Sequence, residues 1–146
     1  MVQDFPNTGV YLWQLQHHLQ LKLETRIARL QLTLPQVATL MRLAAEPGIR
    51  GSDLAKQLLL TPQAVSLIIG KLADAGYLDR SAPNVGRSQP LATTSKGRKA
   101  LKSAQAIIDA VHEEVFGVLN ETEQAHLHEL LQRTLAAVHR SRTHTP

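Results

Sequence analysis

The chain contains no cysteine, which excludes disulfide scaffolds, thiol catalysis, thiolate zinc sites and thiol redox sensing. That absence fits a reducing compartment, and the expected location is the cytoplasm. Aromatic residues make up only 3% of the chain, too few for single-stranded nucleic acid to stack along. No apolar run approaches the ~20 residues of a membrane span. The opening Met1-Val2-Gln3-Asp4-Phe5-Pro6 lacks the basic cluster and apolar stretch of a secretory signal, so neither export nor a membrane is expected. There is no phosphate-binding glycine loop, no strand–turn–helix nucleophile elbow and no paired metal motif, so no enzyme is expected either.

What is present is 146 residues, enough for one domain or two small intergrown ones, with an uneven charge. Residues 1–32 carry three basic and two acidic side chains, residues 33–98 eight and four, and residues 99–146 five and six. The middle therefore holds the whole positive excess. A local basic surface suits a polyanion, because each neutralised phosphate releases counterions.

Hydrophobic spacing predicts a mostly helical chain. Leu12, Leu15, Leu19, Leu23, Ile27 and Leu30 step by three or four, with Asn7 or Thr8 as cap and Trp13 and His17 on a neighbouring face. Thr33 caps a second helix with Pro35 in its first turn. Its expected buried face is Leu34, Val37, Leu40, Met41 and Ala44, and Pro47-Gly48 ends it. A short helix over 52–58 turns Leu54 and Leu58 inward. Thr61-Pro62 opens the next, which buries Val65, Ile68, Ile69 and Leu72 and ends at Gly76. Residues 77–81 and 89–93 read as two short strands around a loop over 82–88, with Pro90 marking an exposed edge.

Thr94 or Ser95 caps a long helix. Its Leu101, Ala104, Ile108, Val111, Val115 and Val118 form a heptad-like seam. Asn120 with Glu123 reads as a capping box for a last helix striped by Leu127, Leu131, Leu135 and Val138, and the tail after His139 is expected to be disordered.

The fold class expected from this order is mainly α with a small β-hairpin wing: a winged helix-turn-helix over 33–98, flanked by helical regions over 1–32 and 99–146. In such a module the second helix enters the major groove and its early residues reach base edges. Here that helix offers Gln63, which can pair with adenine, and Ser66, which is permissive. Gly70 allows close backbone approach. Lys71 and Arg80 suit phosphate, and Arg87 at the loop tip suits a minor groove. Ser52, Thr61, Pro62 and Ala64 around the helix start, Leu67 on its outer side, and Asn84 and Ser88 in the wing complete the expected DNA-facing set. Leu67 either packs against its own neighbours, the preferred reading, or meets a thymine methyl.

Leu32-Thr33-Leu34-Pro35-Gln36, Asp53-Leu54-Ala55, Thr61-Pro62-Gln63-Ala64-Val65-Ser66, Leu72-Ala73-Asp74-Ala75-Gly76-Tyr77-Leu78 and Thr94-Ser95-Lys96-Gly97-Arg98 together resemble MarR-family regulators. The resemblance runs in register from about residue 10 to residue 138. It implies a winged-helix homodimer joined by its first and last helices, with residues 1–32 and 99–146 as the helical dimerisation region, bound to a pseudo-palindromic operator of double-stranded DNA. It implies repression by occlusion of a promoter, and release by a small aromatic acid or phenol. Trp13 and His17 are the candidates for lining the effector pocket, where the first and long fifth helices would meet the winged lobe.

Three positions depart from the family pattern. Gly86 stands where the wing usually has an acidic partner for Arg87, and Leu67 where the recognition helix often has arginine. Gln31 replaces a frequent glycine; a glutamine in a left-handed cap is strained, so this helix is expected to end differently.

The seven histidines predict no metal site. His126 and His128 point to different faces of one helix, His17 and His18 likewise diverge, and His112 with Glu113 or Glu114 lacks a second ligand at helical spacing. No cofactor is expected. The alternatives are a metal-responsive regulator that gathers ligands from separate helices, and a winged-helix module that binds another protein.

Overall fold

The computed structural model describes residues 7–80 and 91–142. The elements are α1 (Thr8–Ile27), a 3-10 turn (Ala28–Leu30), α2 (Leu34–Ala45), α3 (Gly51–Leu58), α4 (Pro62–Asp74), β1 (Leu78–Asp79), β2 (Ala92–Thr93), α5 (Ser95–Phe116) and α6 (Glu121–Arg142). They divide into two compact units, one up to Val111 and one from His112.

In the first unit α2, α3 and α4 pack on one another around a single apolar cluster. Its fully buried members include Ile27, Leu40, Leu54, Leu72, Val37 and Val65, and Ala104 of α5 joins it. Most helix starts are set by a local side-chain cap, while α3 begins after Arg50 without one. Asn7 accepts from the Gly9 N–H at 3.0 Å, and Thr61 from the Ala64 N–H at 3.2 Å. Thr33 forms a reciprocal box with Gln36, so two orphan donors are satisfied at once. Thr39, buried in α2, donates its hydroxyl to the Pro35 carbonyl at 2.8 Å, so that hydroxyl is not left bare.

Several expectations are corrected. In α2 it is Leu43 that is buried, while Ala44 is exposed, because the helix turns the larger side chain into the cluster. Gln31 does occupy the left-handed cap (φ 57°, ψ 31°), and a 3-10 turn, not a different ending, carries the chain into it. Leu59, after α3, is also left-handed (φ 55°). The Leu60 N–H reaches the Ala55 carbonyl at 2.9 Å across it, so helix closure holds leucine where glycine is favoured. After α4, Gly76 (φ 80°) makes the same closure without strain, with Tyr77 N–H on Leu72 O at 2.9 Å.

β1 and β2 pair antiparallel, Leu78 opposite Thr93 and Asp79 opposite Ala92. Tyr77 falls outside the ladder because its N–H closes α4 and its carbonyl accepts from Thr94. The expected loop over 82–88 lies outside the described residues. α5 stops at Phe116, so Val118 leaves the expected seam and is 85% exposed. In the second unit Asn120 and Glu123 form the expected capping box, at 2.9 and 3.0 Å. α6 runs past His139 to Arg142, where a disordered tail was expected.

Candidate nucleic-acid interface

The two sides of α4 separate cleanly. Val65 and Leu72, seven residues apart, are buried against α2 and α3. Gln63, Ser66, Leu67, Gly70, Lys71 and Asp74 recur at steps of three and one, which keeps them on one stripe. They line a single depression of about 490 Å³ on the outer side. This is the face a helix-turn-helix presents to a groove.

A second depression, about 430 Å³, adjoins the first through Ser66. Its walls are Gly51 and Ser52 at the start of α3, Pro62, Val65 and Ile69 of α4, Arg80 after β1, and Leu91 before β2. Arg80 lies along α4: its Nη2 is 3.6 Å from where a Cβ on Gly70 would stand. The guanidinium thus lies beside the recognition helix at a distance that would bring it into ordinary van der Waals contact with a Cβ at position 70. Ser52, Gln63, Ser66, Lys71 and Arg80 are all exposed and border these two connected surfaces.

The other expected residues divide by what each does. The Thr61 hydroxyl is engaged in the cap, Pro62 fills the first turn, and Ala64 is half-buried, so these three shape the helix start. Leu67 does not pack against its own neighbours as preferred from the sequence; it is 61% exposed in the middle of the outer stripe. Asn84, Arg87 and Ser88 lie outside the described residues. Gly51, Asp74 and Leu91 border the surface without having been expected there. Gly51 had a signal in Arg50-Gly51-Ser52 at the start of the short helix, whereas Leu91 is brought in only by the hairpin.

The end of α4 is tied to the start of α5. Thr94 donates its hydroxyl to Gly76 O at 2.6 Å and its N–H to Tyr77 O at 3.1 Å. Lys96 donates to Ala75 O at 2.6 Å, with its ammonium 4.5 Å from the centre of the Tyr77 ring. A cation at the last carbonyls of α4 also complements the helix dipole. These contacts join the start of α5 directly to the residues that end α4.

On α1, Trp13 is 66% exposed, so it is not a core residue. Its ring stacks on His17 one turn later, centroids 6.0 Å apart, and His17 meets His18 edge-on. The side chains of Leu12, Leu15 and Leu21 are exposed on the same helix. Among the described residues, no helix is long and apolar enough to cross a membrane, and no three His, Asp or Glu side chains converge as a metal site.

A three-helix core, a second helix with its polar stripe outward and a two-stranded ribbon define a winged helix-turn-helix protein of the transcription-regulator type. The sequence profile of the MarR family matches residues 30–88. The HTH-type transcriptional repressor Rv2887 of Mycobacterium tuberculosis is 32% identical over 134 residues, spanning 91% of this chain and 96% of that protein. The chain belongs to the MarR family. The structure of Rv2887 in complex with DNA superposes with a TM-score of 0.74 at 29% identity, covering 90% of this chain and 98% of that one. The structure of Rv2887 with salicylic acid gives 0.73 at 31% identity over the same shares.

Proposed function

We propose that the protein is a homodimeric repressor of transcription that binds a pseudo-palindromic operator in double-stranded DNA. The observation that carries this reading is the outer stripe of α4, which turns exposed Gln63, Ser66 and Lys71 and half-buried Gly70 outward while Val65 and Leu72 hold the helix from behind. α4 enters the major groove, Gln63 and Ser66 meet base edges, and Lys71, Ser52 and Arg80 meet phosphate and fix the register. Arg87 takes the flanking minor groove. Two recognition helices sit about one turn, ~34 Å, apart, and repression follows from occlusion of the promoter.

Residues 33–98 form the DNA-binding part; residues 1–32 and 99–146 form the dimerisation part. The exposed apolar side chains of α1 (Leu12, Trp13, Leu15, Leu21) and, separately, of α6 (Leu130, Leu135, Val138) support the second assignment. Such a regulator works beside the chromosome, in the cytoplasm, and performs no catalytic step.

A small aromatic acid is the expected effector, a reading supported by the salicylic acid complex of Rv2887. Trp13 and His17 are the residues proposed to meet it. The ligand acts by favouring a spacing of the two lobes that does not match the operator, and its differential affinity for the two states sets how far DNA binding falls. The Thr94 and Lys96 contacts onto the end of α4 supply a rigid path for that coupling.

The test is selection of bound duplexes from a random pool, followed by titration of the enriched sequence against salt and then salicylate. An enriched inverted repeat, a steep salt slope and weakening by salicylate are expected. Weak, uniform binding without enrichment would instead leave a winged-helix module that binds another protein.

A further inference from the structure

Resting on that reading, we propose that Leu67 is a specificity-determining residue that reads the C5-methyl group of a thymine in each operator half-site. Leu67 is the one large apolar side chain on the outer stripe of α4; Gln63, Ser66, Gly70, Lys71 and Asp74 around it are polar or small. It is 61% exposed, and nothing in the described residues covers it. Among the groups that a major groove offers to a helix, the apolar one is the thymine methyl.

The neighbours make the contact geometrically available. Gly70, one turn on, carries no side chain, so the leucine and the helix backbone can both approach the base edges closely. Gln63 lies four residues before Leu67, about 6 Å along the helix axis. With bases about 3.4 Å apart along a strand, that spacing places the thymine within about two base pairs of the position read by Gln63. The two side chains then read adjacent features, an amide pairing at one base and an apolar contact at the next.

The experiment uses the full-length protein and its selected operator, replacing each thymine in turn by deoxyuridine, which removes only the methyl group. One symmetric thymine per half-site should respond, within about two base pairs of the position whose preference Gln63→Ala relaxes. Burial of one methyl group gives a loss of roughly fourfold per half-site, or roughly fifteenfold when both are replaced. Leu67→Ala should lose a comparable factor on the natural operator and show no further loss on deoxyuridine at those positions. Because Leu67 is exposed, its thermal unfolding should match the wild type, so a folding defect is separable. Leu67→Arg, selected afresh, should exchange the thymine preference for guanine, whose O6 and N7 accept a bidentate guanidinium. The proposal is overturned if no deoxyuridine substitution is selectively silenced by Leu67→Ala, or if the sensitive thymine lies far from the Gln63 position. Failure of the wild type to enrich any sequence overturns the regulator reading itself, a result distinct from both.

Discussion

Gly97→Ala tests how tightly the α5 entry is locked to the end of the recognition helix. Gly97 is buried in the first turn of α5. A Cβ there would overlap the carbonyl oxygen of Tyr77 and stand 2.7 Å from Thr93 Cγ2 and 3.3 Å from the Tyr77 carbonyl carbon. The closest neighbour is backbone, so no side-chain rotation relieves the overlap. The entry must instead move away from Gly76 and Tyr77, stretching the Thr94 bonds at 2.6 and 3.1 Å and the Lys96 bond at 2.6 Å. Overpacking of this kind costs ~1–3 kcal/mol, and weakening these three hydrogen bonds adds about 2 kcal/mol in all, at roughly 0.5–1 kcal/mol each. Alanine's better helix propensity returns at most ~1 kcal/mol. The net is a loss of about 3 kcal/mol, or roughly a 10 °C fall in Tm for a chain of this size. Urea and thermal melts followed by circular dichroism, at equal protein concentration because a dimer is expected, measure it. Gly51→Ala is the control, since a Cβ there meets nothing within 4 Å and should change stability little. A Gly97→Ala protein as stable as the wild type would refute the close-contact argument.

Gln31→Gly and Leu59→Gly, at φ 57° and 55°, should each raise stability by about 0.5–1 kcal/mol, since the relief of left-handed strain exceeds the added flexibility of the unfolded chain; an unchanged urea midpoint would count against this. Gly70→Ala should leave the fold intact or stabilise α4 by up to ~1 kcal/mol, because its Cβ fits 3.6 Å from Arg80, while weakening operator affinity in a binding titration. Gln63→Ala should cost roughly 1–3 kcal/mol for the preferred base at one position; an equal loss across all sequences would reduce it to a backbone contact. Arg87→Ala should weaken binding and lower the salt slope by roughly 1; unchanged affinity and slope would remove the wing from the interface.

How much of this protein could be read before folding depends on the range of each interaction. Caps at Asn7, Thr33, Thr61 and Asn120 act on N–H groups two or three residues away, and Gly76 answers a demand of its own backbone, so local chemistry alone places these helix ends. The outer stripe of α4 follows from helical period once Val65 and Leu72 are recognised as inward. The inward choice in α2 is different: Leu43 and Ala44 are adjacent, and only the packing partners select between them. Gln31 and Leu59 show closure of the chain overriding residue preference, a cost of ~1–2 kcal/mol per residue that local sequence cannot reveal as being met. Leu67 could be read as packed or exposed until the fold left it uncovered.

The sequence by itself thus determined the helix order, the caps and the face of α4 turned outward, because each is written in residues a few positions apart, and it determined the family through motifs that keep their order and spacing along the chain. Only the tertiary structure decided that Thr94 and Lys96 bind the end of α4, and that Arg80 lies beside Gly70. Those contacts join residues 10 to 21 positions apart, and their geometry exists only after the core has brought the helices and the hairpin together.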